Sequence, residues 1–87
     1  MSNEGGYMFK NKNDDKNNLC GEKIRALRLA SAAKLSQRAL ADKMQLIGID
    51  VDKNAIQRIE CGKRFVTDIE LKAFATVFGV SVADLIS

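Results

Sequence analysis

The chain has 87 residues, 29% charged and 46% hydrophobic, with a formal net charge of +3. Those figures fit one small globular domain, and no apolar run approaches the roughly 20 residues that span a bilayer. The first sixteen residues lack the apolar stretch of an export signal, so a cytoplasmic location with reduced thiols is expected. Cys20 and Cys61 lie far apart with no histidine in the chain, which argues against a zinc site and leaves both as small buried or half-buried hydrophobes. Without histidine, a glycine-rich phosphate loop, or a nucleophile beside a base, nothing supports catalysis, and no cofactor is expected. The charge is unevenly spread. Ten basic side chains face five acidic ones between Leu19 and Phe65, whereas after Phe65 only Lys72 opposes Asp68, Glu70 and Asp84. Positive charge confined to one part of a domain is the footprint a nucleic acid requires.

Residues 1–18 are rich in asparagine, lysine and aspartate, with balanced charge. Such a segment buries too little surface to offset its ordering entropy, so a disordered tail is expected, with Tyr7, Met8 and Phe9 as its one apolar group able to dock. The folded domain is then 19–87. A first helix is expected from about Leu19 to Ala32, with Ile24, Leu27 and either Ala30 or Ser31 on one side. Arg28 borders that stripe and needs a partner. Ser36 is the cap of a second helix with Leu40, Ala41 and Met44 inward, and Gln37 in its first turn stands where an amide and free backbone N–H groups can hold a phosphate. The second helix ends around Leu46, Ile47 and Gly48.

The third helix is bounded by Asp52, a good N-cap, and Gly62, a good stop. Ala55, Ile56 and Ile59 form a narrow apolar stripe, and Lys53, Asn54, Gln57 and Arg58 repeat on the opposite side. That face offers an ammonium, two amides and a guanidinium with no carboxylate. It fits a DNA major groove, since amides and guanidinium groups each form two hydrogen bonds to one base edge; the alternative is a solvated helix face that binds nothing. A capping box from Thr67 to Glu70, or Asp68 as an alternative cap, opens a fourth helix with Leu71, Phe74, Ala75 and Phe78 inward, closed by Gly79. A second box, Ser81 to Asp84, opens a short fifth helix carrying Val82, Leu85 and Ile86. No segment alternates like a strand, so the fold class is all-α, five short helices around one core.

Ser36-Gln37, Leu40-Ala41, Ile56, Ile59-Glu60, Gly62, Lys63-Arg64 and the run from Leu71 through Ser81 to Leu85-Ile86 together resemble the Cro/C1-type (Xre-like) helix-turn-helix family of phage repressors and bacterial regulators. The resemblance covers residues 19–87 and implies a five-helix, lambda-repressor-like domain whose third helix enters the major groove. Carried over by position, it implies base reading by Lys53, Asn54 and Arg58 with Gln57 beside them. Phosphate contact would come from Ser36, Gln37, Lys63 and Arg64, with Arg38 and Lys43 as further candidates, and Arg28 would form a structural ion pair with Glu60. It further implies a transcriptional repressor acting as a homodimer on double-stranded DNA with an inverted-repeat operator; the expected pairing surface is helix 5 with the end of helix 4, namely Val80, Val82, Leu85 and Ile86. An antitoxin that also binds a toxin, and a protein-interaction adaptor without DNA binding, are the alternatives. This chain departs from the family in two connections. About five extra residues lie between Met44 and Asp52, and about two around Ala32–Leu35; they either lie in loops or lengthen helices 1 and 2.

Overall fold

The computed structural model describes residues 16–87. Five helices follow one another: α1 (Gly21–Ala30), α2 (Gln37–Leu46), α3 (Lys53–Glu60), α4 (Asp68–Phe78) and α5 (Val82–Ile86), with no strand among the described residues. The expected all-α class and five-helix order are what the chain adopts. Helix α1 is shorter at both ends than the span of 19–32 read from periodicity. Its N-cap Cys20 has no side-chain bond, and at its other end Ser31 is extended while its hydroxyl donates back to the Arg28 carbonyl at 2.8 Å.

The other starts are set by side-chain caps that satisfy N–H groups left free in a first turn. Ser36 Oγ accepts from the Ala39 amide at 3.0 Å and Asp52 Oδ1 from the Ala55 amide at 2.8 Å. Thr67 with Glu70, and Ser81 with Asp84, form complete capping boxes. Gly62 and Gly79 take left-handed backbone just past α3 and α4, as stops do.

Fully buried Ile24, Leu40, Met44, Val51, Ile56, Ile59, Phe74 and Leu85 make one core, to which every helix contributes at least one side chain. Burying each of the larger ones is worth about 1.5–3 kcal/mol. Helices α2 and α3 pack on each other most extensively, α1 packs on α3, and α4 packs on α2, α1 and α5. The extra residues before α3 do not extend α2 beyond Leu46; they form a connection over 47–52. Gly48 turns it with φ 91°, the Ile49 backbone amide returns to the Met44 carbonyl at 3.0 Å, and Gln45 Nε2 donates to the Val51 carbonyl at 2.8 Å. With Val51 driven into the core, this longer turn is anchored at its far end, directly before the Asp52 cap.

Three expectations need correction. Cys61, at the α3 C-cap, is exposed rather than buried or half-buried; Cys20 is buried as expected. Leu85 is fully buried within the monomer, so it cannot take part in a pairing surface; of that group Val80 and Val82 are half-buried and only Ile86 is exposed. Asn17 and Asn18, assigned by composition to the tail, are hydrogen-bonded to the end of α3. Tyr7, Met8, Phe9 and the rest of that segment to residue 15 lie outside the described residues.

Candidate nucleic-acid interface

The α3 stripe of Ile56 and Ile59 is sealed into the core, which fixes the rotation of the helix about its own axis. Lys53, Asn54, Gln57 and Arg58 are all exposed as a consequence, and among the described residues none of their side chains makes a hydrogen bond. Four unpartnered donors, two of them also offering amide oxygens, project from one short rod. That is chemistry suited to base edges, where amide and guanidinium forks each span two atoms.

Beneath this face lies a buried polar network. Arg28 Nε and Nη2 donate to Glu60 Oε2 and Oε1 at 2.7 and 2.9 Å, and Arg28 Nη1 donates to the Leu35 carbonyl at 2.9 Å. The two side chains are 10% and 3% exposed. The Glu60 hydrogen bonds hold the Arg28 guanidinium above its ordinary pKa. The expected ion pair between helix 1 and the end of helix 3 is therefore present. Gln37 Nε2 also donates to Glu60 Oε1, at 3.1 Å. That bond uses one of its amide hydrogens and ties the first turn of α2 to the last turn of α3.

The candidate phosphate residues divide by what already holds them. Arg38, Lys43 and Lys63 are exposed, and among the described residues none of their ammonium or guanidinium groups is paired. Ser36 is exposed with its oxygen capping α2, so its hydroxyl hydrogen remains available. Arg64 is half-buried, with its fork spent on Glu70: Nη1 to Oε1 at 2.9 Å and Nη2 to Oε2 at 3.0 Å, while Nη1 also donates to the Phe65 carbonyl. This pair raises the Arg64 pKa and lowers that of Glu70. Residue type and order placed Arg64 beside Lys63 on a phosphate rail; the corner between α3 and α4 instead brings it back onto the Thr67 capping box.

Sequence reasoning missed the segment 16–18. The Asn17 amide donates to the Gly62 carbonyl at 2.7 Å, and the Asn17 side chain to the Lys63 carbonyl at 3.2 Å. Asn18 Nδ2 donates to the carbonyls of Ile59 and Arg64 at 3.1 and 2.8 Å, and Asn18 Oδ1 accepts from the Gly21 amide at 2.7 Å. The approach is close enough that a Cβ on Gly21 would meet the Ile59 carbonyl oxygen at 2.2 Å, and one on Gly62 the Lys16 side chain at 2.8 Å. No periodicity marks these residues; the only signal is that asparagine is a natural cap for an α1 that begins three residues later.

No group of three or more metal-ligating side chains occurs among the described residues, and no described helix is long and apolar enough to cross a membrane. The family model described as Helix-turn-helix, HTH_3, matches residues 24–85, well over half of the chain. Nothing among curated proteins or solved structures matches it. An α2–α3 pair with this geometry, within a match that runs from Ile24 in α1 to Leu85 in α5, places the protein: it belongs to the Cro/C1-type helix-turn-helix family and is a DNA-binding regulator.

Proposed function

We propose that the protein is a sequence-specific transcriptional repressor that binds an inverted-repeat operator as a homodimer and acts by occupying a promoter. The observation that carries this reading is the α3 face, where four exposed donors stand together without a carboxylate and without partners among the described residues. Lys53, Asn54, Gln57 and Arg58 read base edges. Ser36, Gln37, Arg38, Lys43 and Lys63 supply the flanking backbone contacts, and Arg64 shapes the corner rather than reaching DNA with its side chain. One such helix contacts only a few base pairs. Two copies with reading helices about 34 Å apart, one turn of B-DNA, give the discrimination a regulator needs. Val80, Val82 and Ile86 are the side chains offered for that pairing.

Selection of bound duplexes from a random DNA pool tests the reading. Enrichment of a palindromic motif is the expected result, and no enrichment even at low salt refutes it. Sedimentation of the chain as a monomer on its selected duplex sinks the homodimer alone. A second reading, an antitoxin or adaptor that engages another protein, is favoured by Leu46, 85% exposed, and Ile47 beside Val77. An antitoxin passes the same selection and an adaptor fails it.

A further inference from the structure

The turn at the end of α3 is held from outside by the segment that precedes α1. Three consecutive carbonyls, those of Gly62, Lys63 and Arg64, accept from the Asn17 amide, the Asn17 side chain and the Asn18 side chain. Asn18 also donates to the Ile59 carbonyl, which accepts from the Gly62 amide as well. In a trans peptide the N–H points opposite to the C=O of the same plane. With the Lys63 and Arg64 carbonyls turned toward the asparagines, the N–H groups of Arg64 and Phe65 are turned away from them. Among the described residues neither amide has a hydrogen-bond acceptor. Two successive amides turned from the asparagines and without an acceptor, next in the chain to the exposed Lys63 and just past the reading helix, are suited to an anionic oxygen.

The geometry points to Asn17 and Asn18 as positioning residues for DNA, which orient the peptides of the Lys63–Phe65 turn so that the Arg64 and Phe65 amides hold one backbone phosphate. The inference rests on the DNA-binding reading of the α3 face. It assigns an anchoring contact to main chain where residue type had assigned it to the Arg64 side chain, and it makes residues 16–18 part of the binding unit. A phosphate held by main chain carries no sequence information, so the contact sets the register of α3 in the groove without choosing bases.

The test uses wild-type protein and the duplex enriched by selection. On complex formation the Arg64 and Phe65 amide proton resonances should shift downfield, and methylphosphonate substitution of that phosphate in one half-site should weaken binding at least about tenfold, the lower end of what a hydrogen bond to a charged group is worth. Asn18→Asp keeps the acceptor for Gly21 but removes both donors. It should bind selected and scrambled duplexes more weakly by a similar factor, keep its base preferences, and lose the penalty at that methylphosphonate. Loss of that penalty separates positioning from mere destabilisation, because a less stable chain that still folds would retain it. Unshifted Arg64 and Phe65 amides in the wild-type complex overturn the inference whether or not Asn18→Asp folds. So does a folded Asn18→Asp that keeps wild-type affinity and the penalty. A wild-type chain that enriches no duplex overturns the DNA-binding reading and this inference with it.

Discussion

Glu60→Gln is the most informative change to the interior. The Glu60 carboxylate is 3% exposed and receives three hydrogen bonds, two from Arg28 and one from Gln37. The neutral amide keeps the shape and can still accept from one neighbour, but it leaves the Arg28 guanidinium, 10% exposed, with only the Leu35 carbonyl as a full acceptor. Breaking a buried pair by removing one partner costs about 3–5 kcal/mol, because a charge stays buried without compensation. The amide's remaining bond puts Glu60→Gln near the lower end of that range. At about 4–8 °C per kcal/mol for a domain of this size, 3 kcal/mol lowers the melting temperature by roughly 12–24 °C. Arg28→Met should cost a similar amount by orphaning the carboxylate. The double variant should recover about 1–3 kcal/mol of the summed loss, since no buried charge is left. Urea unfolding of the four proteins measures the cycle. Additive losses, with no coupling energy, would refute the argument that the two groups act as one buried unit.

Other consequences are as direct. Gly21→Ala drives a Cβ into the Ile59 carbonyl and should destabilise by about 1–3 kcal/mol in urea unfolding, although alanine is the better helix former; a neutral or stabilising result would mean that α1 and α3 are not in close approach. The Glu70 carboxyl is held below its ordinary 4.5, first by the Arg64 hydrogen bonds and then by the Thr67 amide, against the opposing effect of burial. Its contribution to stability is therefore complete above about the ordinary carboxylate pKa and is lost as pH falls through the lower folded value, so Glu70→Gln should flatten the acid limb of a stability–pH curve; an unchanged limb contradicts the pairing. Under native conditions one thiol, Cys61, should react at once with a disulfide reagent. Cys20, whose pKa is raised by burial, should react only as the chain unfolds, and two rapid thiols would contradict the burial.

What the sequence made legible follows from how local each cause is. Caps and stops are local: Ser36, Asp52, Thr67, Ser81, Gly62 and Gly79 act within a turn of where they stand, and the structure uses each of them as expected. The apolar stripe of α3 is local as well, and it fixes which face of that helix is exposed. The fate of the long connection after Met44 was not legible, because it turns on Val51 finding a place in a core assembled from other helices. Arg64 illustrates the same limit. Its residue type suits phosphate and Glu70 alike, and only the corner through Phe65 and Val66 brings the carboxylate within reach. Asn17 and Asn18 were hidden most thoroughly, since a polar run reads as a tail when its partners are main-chain carbonyls more than forty positions away.

The claim at the centre is that the exposed face of α3 reads bases. The most direct measurement is the affinity of Asn54→Ala and Arg58→Ala for the selected operator and for every single-base variant of it. Asn54 carries no charge, so its removal has little non-specific attraction to forfeit. Each variant should lose about 1–3 kcal/mol on the selected site and lose preference at one or two base positions while keeping the rest of the profile. A profile for Asn54→Ala that matches wild type at every position would contradict the assignment of α3 to the groove, and the lengthened turn over 47–52 would be the first structural cause to examine.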